Sequence, residues 1–188
     1  MKVYVIRHGE SENNRAKKWT GWADVHITEK GVEDAKKSGE IIKNITFDKI
    51  FTSDLIRTIE TAQNAIPGCC YETSKLVREV NVGNIANTPL AGLTEEQKKA
   101  IAKKGYAAFG GESKEEFQSR IKLFMNKLEK SDYENVAVFS HGGWLCGMLN
   151  LVTDTQISRE HLCCNNCTVA IFEYVNNTWK LHSWINFS

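Results

Sequence analysis

Two histidines and two arginines in this chain stand where short apolar runs give way to polar residues. Arg7 and His8 follow the run KVYVI, His141 follows NVAVFS, and Arg57 comes shortly after DKIFTS. An arginine side chain stays charged and offers a planar fork of donors that matches phosphate oxygens. A neutral imidazole can attack phosphorus when its other nitrogen is hydrogen-bonded. These side-chain types indicate a site for chemistry on a phosphoryl group.

The elements that must position these side chains are three predicted strands. The strands are expected over Lys2–Ile6, Phe47–Thr52 and Asn135–Ser140. Ligand sites in open α/β sheets lie outside the carboxyl ends of the strands, so parallel neighbours would bring the four side chains together. Helix N-termini nearby would add backbone N–H donors and a positive dipole end, both of which favour an anion.

The rest of the chain predicts strands that alternate with helices. Helical patterns start at Thr28, near Ser53 (ending before Pro67), in TEEQKKAIAKKG, at Ser113 (to Lys130) and at Gly143 (to Val152). A short strand is predicted over Tyr71–Val77, and the C-terminal segment predicts a hairpin that turns at Asn176-Asn177. This order predicts an α/β fold, a three-layer α/β/α sandwich whose mostly parallel sheet is made mixed by the hairpin. The length of 188 residues predicts one domain over 1–188.

Composition and charge exclude several classes of partner. A formal net charge of +1, with no Lys/Arg run longer than two, argues against nucleic acid. The uncharged stretch 136–153 is interrupted by Ser140-His141-Gly142-Gly143, so we expect no membrane partner. Only six residues precede Arg7, which leaves no room for a signal peptide, so we expect a cytoplasmic protein with reduced cysteines. The Cys163, Cys164 and Cys167 cluster lacks the second half of a zinc site.

Five segments in order resemble one known family. RHGESENN is similar to its signature, and the others are TGWADVHITEKG, FTSDLIRTIETA, LVREVNVG and FSHGG. Over nearly its full length the chain resembles the histidine phosphatase superfamily, in its phosphoglycerate mutase-like group. The absence of a P-loop or of paired aspartates for two metals also favours a covalent histidine route. The resemblance implies a phosphoglycerate mutase-like fold, no metal and no cofactor.

The resemblance also implies a role for each matching residue. His8 would be the nucleophile, while Arg7, Arg57 and His141 would hold the phosphoryl oxygens. Glu79 would protonate the leaving oxygen and then activate the hydrolytic water, so we expect it to be partly shielded from solvent. Should Glu79 not be the acid, Glu10 and Glu112 are the alternatives. Ser11 and Asn14 would make further contacts to the substrate or its phosphate.

The substrate depends on a segment that departs from the family pattern. After Gly83 the chain continues NIANTPLAGL, where many relatives have a Trp-Glu-Gly-like element. Residues 80–112, which end in YAAFGGE, would form a cover over the site, and Trp19 and Trp22 would border it. The leading hypothesis is a metal-independent phosphatase of a small phosphorylated metabolite. A cofactor-dependent phosphoglycerate mutase and a non-catalytic phosphate- or phosphoprotein-binding relative stay open, and a homo-oligomer is compatible with the sequence.

Overall fold

A six-stranded sheet runs through the centre of the computed structural model, which describes residues 1–157 and 161–187. Its strands are β1 (Lys2–Arg7), β2 (Lys49–Thr52), β3 (Glu72–Thr73), β4 (Asn135–Ser140), β5 (Val169–Val175) and β6 (Thr178–Ile185). The order is β3-β2-β4-β1-β5-β6. The pairs among β1 to β4 are parallel, while β5 is antiparallel to both β1 and β6. The predicted α/β fold with a mostly parallel, mixed sheet is confirmed.

The register places three strand ends at one edge of the sheet. Arg7 at the end of β1 lies opposite Ser140 at the end of β4. Thr52 at the end of β2 lies opposite Phe139, and the Ser53 amide donates to the Phe139 carbonyl at 3.0 Å. The loops after these three strands therefore begin side by side, as a site built from strand ends requires.

Helices cover both faces of the sheet. They are α1 (Glu12–Arg15), α2 (Glu29–Ile42), α3 (Ile56–Ala65), α4 (Glu95–Lys104), α5 (Lys114–Glu129) and α6 (Gly142–Thr153). Side chains of a strand alternate between its faces. Accordingly Val3 and Val5 belong to the core that includes Phe124 of α5 and Trp144 of α6. Tyr4, Ile6, Ile42 of α2 and Ala62 of α3 form the core of the opposite face.

Local sequence signals account for most element boundaries. The Thr28 hydroxyl accepts from the Gly31 amide and caps α2, as predicted. Ser113 caps α5 through a capping box with Glu116. Asn176 and Asn177 adopt φ values of 50° and 58°, the left-handed conformation that a two-residue hairpin turn needs. Among the described residues, no helix is long and apolar enough to cross a membrane.

Three predicted elements differ from the structure, and one of them, β2, begins at Lys49 instead of Phe47. The strand expected over Tyr71–Val77 is limited to Glu72–Thr73, because the Ser74 hydroxyl accepts from the Leu76 amide and starts a 3₁₀ turn over Lys75–Val77. The helix expected near Ser53 begins at Ile56, whose amide is bonded by the distant Asp24 carboxylate at 2.7 Å.

Candidate active site

His8 lies directly after β1 with its side chain almost fully buried. Its backbone amide donates to the Ser140 carbonyl at 2.9 Å, which holds it against the end of β4. The Nδ1 atom of the ring is 2.7 Å from the Gly9 carbonyl oxygen. A carbonyl oxygen can only accept, so Nδ1 carries the proton and Nε2 of a neutral ring keeps its lone pair. This is the tautomer that a histidine nucleophile requires.

His141 faces His8 from the end of β4. The two ring centroids are 5.3 Å apart, and His141 is completely buried at the N-cap of α6. Among the described residues, neither ring nitrogen of His141 has a hydrogen-bond partner. Burial, followed by the positive charge of Arg57, holds the pKa of the His141 imidazole well below its ordinary range. The ring is therefore neutral near pH 7 and ready to bind a ligand oxygen.

The two arginines approach the same place from different elements. Arg57 in the first turn of α3 is fully buried, and its Nη1 and Nη2 donate to the carbonyls of Ala23 (2.9 Å) and Gly21 (2.8 Å). Its Nε is buried with no partner among the described residues. Burial lowers the pKa of Arg57 to about 10, so the guanidinium stays charged at neutral pH. Arg7 ends β1 and donates through Nη1 to the Cys164 carbonyl.

Glu79 is buried, as expected for an acid shielded from solvent, and lies at the start of α6. Its Oε2 accepts from the Gly143 amide at 3.0 Å and its Oε1 from the Val80 amide at 2.9 Å. A Cβ on Gly143 would lie 2.3 Å from Glu79 Oε1, so only glycine lets the carboxylate approach this closely. Gly143 was missed by sequence reasoning as a functional position, although the pattern HGG after a strand carried the signal.

A threonine ties the loops of His8 and Arg57 together. The Thr61 hydroxyl accepts from the Gly9 amide at 2.9 Å and donates to the Arg57 carbonyl at 2.6 Å. Gly9 itself packs on α2, where a Cβ would lie 2.4 Å from the Gly31 carbonyl oxygen. Close backbone packing and one buried hydroxyl therefore set the spacing between the proposed nucleophile and its neighbouring arginine.

Ser11 and Asn14 lie beside the site but are engaged in local structure. Ser11 caps α1: its hydroxyl accepts from the Asn14 amide, while Asn14 Oδ1 accepts from the Ser11 amide. Asn166 donates to Asn14 Oδ1 (3.1 Å) and to the His8 carbonyl (3.0 Å). Asn166, which sequence reasoning missed, thus connects this short helix to the histidine loop. The Oδ1 atom of Asn14 is thus engaged within the protein, and its NH₂ group is the part of the side chain that could donate to a substrate.

The alternative acids are engaged in contacts with side chains outside the His8–His141 pair. Glu10 Oε1 accepts from the Thr28 hydroxyl at 2.8 Å. Glu112 forms a two-point ion pair with Arg120, with both N–O distances 2.8 Å. Of the two tryptophans expected at the border, Trp22 donates through Nε1 to the Glu79 carbonyl at 2.7 Å. The geometry therefore favours Glu79 over Glu10 and Glu112.

The segment 80–112 packs against α1 and the residues that follow it. Asn13 donates to Asn87 Oδ1 at 2.8 Å, and the rings of Trp19 and Tyr106 meet edge to face with centroids 5.8 Å apart. The helix α4 in this segment has no buried residue, in line with the predicted surface helix. Within the described ranges 1–157 and 161–187, no group of three or more potential metal ligands comes together.

Comparison with known proteins supplies the family. Residues 3–186 match the histidine phosphatase superfamily (branch 1). "Probable phosphoglycerate mutase GpmB" of Proteus mirabilis is 29% identical, over 98% of this chain and 90% of that protein. The structure of phosphoglycerate mutase from Bacillus anthracis (26% identity, TM-score 0.81) covers 97% of this chain and 92% of its own. The chain is also similar in fold to a phosphoserine phosphatase mutant from Entamoeba histolytica, solved in complex with phosphoserine. The two share 22% identity with a TM-score of 0.83, over 97% of this chain and 95% of the other. The chain belongs to branch 1 of the histidine phosphatase superfamily.

Proposed function

We propose that the protein is a metal-independent phosphatase that hydrolyses small phosphomonoesters through a phosphohistidine at His8. The observation that carries this proposal is a set of buried polar atoms that have no protein partner. Among the described residues, Arg57 Nε and both ring nitrogens of His141 are buried and unbonded. Leaving a buried polar group unbonded costs about 1–3 kcal/mol, so a fold tolerates several together where a ligand completes them. Arg57 Nε and the single N–H of the neutral His141 ring can each donate to an oxygen of a phosphoryl group.

The geometry supports the following sequence of steps. His8 Nε2 attacks phosphorus, the N–P bond forms, and the bond from phosphorus to the ester oxygen breaks. Glu79 donates its proton to that departing oxygen. Water then attacks the phosphohistidine, Glu79 takes a proton from the water, and the N–P bond breaks to release inorganic phosphate. Arg7, Arg57 and His141 stabilise the charge on the three remaining phosphoryl oxygens in both steps.

Hydrolysis is favoured over phosphoryl transfer by the charges of the segment 80–112. Its basic residues are Lys98, Lys99, Lys103 and Lys104, and all four are exposed on α4. A mutase acting on phosphoglycerate needs cations toward the site for the substrate carboxylate. The names of the Proteus and Bacillus relatives favour the mutase as the second candidate.

Turnover of p-nitrophenyl phosphate tests the reaction. Activity should persist in EDTA and be lost in His8→Ala, and intact-protein mass spectrometry after a substrate pulse should show one added phosphoryl group in the wild type alone. Activity that survives His8→Ala would contradict the mechanism. Phosphate binding without turnover would instead identify a non-catalytic binding protein.

A second assay separates the phosphatase from the mutase. The protein is incubated with 3-phosphoglycerate and 2,3-bisphosphoglycerate, and the products are followed by NMR. We expect free phosphate to accumulate. Accumulation of 2-phosphoglycerate without net phosphate release would support the mutase. A screen of phosphorylated metabolites would then define the substrate.

A further inference from the structure

One arginine outside the phosphate pocket binds the segment that carries Glu79. Arg120 extends from α5, and its guanidinium donates to four carbonyls of that segment: Lys75 at 3.4 Å, Leu76 at 3.1 Å, Arg78 at 2.8 Å and Glu79 at 3.0 Å. Its remaining donors form the two-point pair with Glu112. The two side chains are only 12% and 14% exposed, so solvent screens this pair less than a surface ion pair.

Glu112 extends the same connection to the end of the segment 80–112. Its Oε2 accepts from the Asn81 amide at 2.7 Å, and its own amide donates to the Asn81 carbonyl at 2.9 Å. Its carbonyl accepts from the Tyr106 amide at 2.8 Å. The ion pair therefore joins the residues on both sides of Glu79 to the region that packs over Trp19.

The place of the Glu79 backbone determines where its carboxylate lies. The Glu79 carbonyl accepts from both Trp22 Nε1 (2.7 Å) and Arg120 Nη2 (3.0 Å). The carboxylate itself is held by two backbone amides, those of Val80 and Gly143. A shift of the loop by a few tenths of an ångström would change both sets of bonds. Side chains that act as general acids depend on such fixed geometry.

We propose that the Arg120–Glu112 pair is a positioning device for Glu79, an inference that rests on the proposed role of Glu79 as the general acid. The planar fork of Arg120 bonds Glu112 and the loop carbonyls at once, and a lysine ammonium cannot reproduce that arrangement. Loss of the fork should therefore impair proton donation to the leaving oxygen. It should leave the phosphate pocket intact, because Arg57 and His141 share no described hydrogen bond with Arg120 and a lysine keeps the positive charge that Arg120 places near His141.

The test compares good and poor leaving groups. A p-nitrophenolate leaves without protonation, whereas an alkoxide needs the acid, so kcat/KM is measured for p-nitrophenyl phosphate and for glycerol 2-phosphate. For Arg120→Lys we expect a loss of about 10- to 100-fold on glycerol 2-phosphate and less than about 3-fold on the aryl ester. Lys127→Met, which removes an exposed cation of the same helix that pairs with Glu72, is the matched control and should leave both values unchanged.

A double-mutant cycle tests whether Arg120 acts through Glu79. In a Glu79→Gln background the acid is absent, so Arg120→Lys should cause little further loss on glycerol 2-phosphate. Glu112→Gln keeps the shape of the side chain and removes its charge. If Arg120→Lys folds poorly, Glu112→Gln can replace it in the cycle. It should also lose more activity on glycerol 2-phosphate than on p-nitrophenyl phosphate, by a smaller factor than Arg120→Lys.

The outcomes separate this inference from the proposed function. Equal losses on both esters, or a loss fully additive to that of Glu79→Gln, would show a merely structural role and overturn the inference. If Glu79→Gln is selective for the alkyl ester and both Arg120→Lys and Glu112→Gln are not, the inference fails and the acid assignment stands. If Glu79→Gln itself shows no selectivity, the acid assignment is wrong and the inference fails with it.

Discussion

The close approach of Glu79 to α6 makes Gly143→Ala a sharp test of the acid. An alanine Cβ at this position would lie 2.3 Å from Glu79 Oε1 and 3.1 Å from its Cδ. Ordinary contact begins about 1 Å further out. The carboxylate must therefore move by about that distance and lose the 3.0 Å bond from the Gly143 amide. Alanine has a higher helix propensity than glycine, by up to about 1 kcal/mol, so the helix itself should tolerate the change.

The expected loss follows from the size of that displacement. A misplacement of about 1 Å can cost about 100-fold in rate, and general acid catalysis contributes about 10²- to 10⁴-fold in all. We therefore expect kcat/KM for glycerol 2-phosphate to fall about 100-fold in Gly143→Ala. The value for p-nitrophenyl phosphate should change far less, because its leaving group needs no proton. The Tm should stay within a few degrees of the wild type.

The control is a glycine-to-alanine substitution at Gly39, where the new Cβ would also clash but far from the site. A Cβ on Gly39 of α2 would lie 2.2 Å from the Ala65 carbonyl oxygen of α3. Gly39→Ala should destabilise the fold by about 1–3 kcal/mol through overpacking. It should leave the ratio of alkyl to aryl activity unchanged. A wild-type ratio in Gly143→Ala, or parallel losses on both esters, would refute the placement of the acid.

Three further predictions concern the buried cations and the phosphate. Arg57→Lys should lower both the Tm and the affinity for phosphate, the latter at least about 10-fold, because an ammonium lacks the planar fork that bonds the carbonyls of Gly21 and Ala23 and also presents Nε–H. Thermal shift measured against phosphate concentration reports both effects. In the wild type, inorganic phosphate at a hundredfold excess over its Kd should raise stability by about 2.7 kcal/mol, and a flat titration would contradict an anion site. The pKa of His141 is depressed, so the stability from its neutral ring is present above the ordinary pKa and is lost as pH falls toward the folded-state pKa. Below about pH 6.5, the free energy of unfolding of the wild type should fall by up to about 1.4 kcal/mol per pH unit more than that of His141→Asn. Urea denaturation of both proteins at pH 7.5 and 5.5 measures this difference.

Local patterns were sufficient to predict how the strand-end residues are placed. The apolar runs before Arg7 and His8 and before His141 each specify a buried strand, and the polar residues then follow at its end. Parallel pairing brings those ends together, so the neighbourhood of these side chains could be expected before any geometry was known. Helix caps such as Thr28 could also be predicted, because the capping side chain and the amide that it bonds lie within four residues of each other.

Contacts between distant residues could not be read in this way. Arg120 occupies a polar position of an amphipathic helix, where a solvated charge is the ordinary reading, yet it bonds carbonyls 41 to 44 residues away. The start of α3 depends on Asp24, which bonds the Ile56 amide from 32 residues away. The residues 71–77 have strand-forming side chains, but Ser74 provides a local bond that competes with the sheet.

In the proposed mechanism, the unbonded polar atoms of Arg57 and His141 would recognise the phosphoryl group separately from the rest of the substrate. Arg57 Nε and the N–H of the His141 ring are buried with no partner among the described residues, so a phosphoryl oxygen would accept hydrogen bonds that the protein does not satisfy. That gain is the same for every phosphomonoester. Discrimination must therefore arise where the leaving group lies, between Glu79 and the segment 80–112. Because the Arg120–Glu112 pair bonds both of these, substitutions in that segment should alter proton donation as well as substrate affinity.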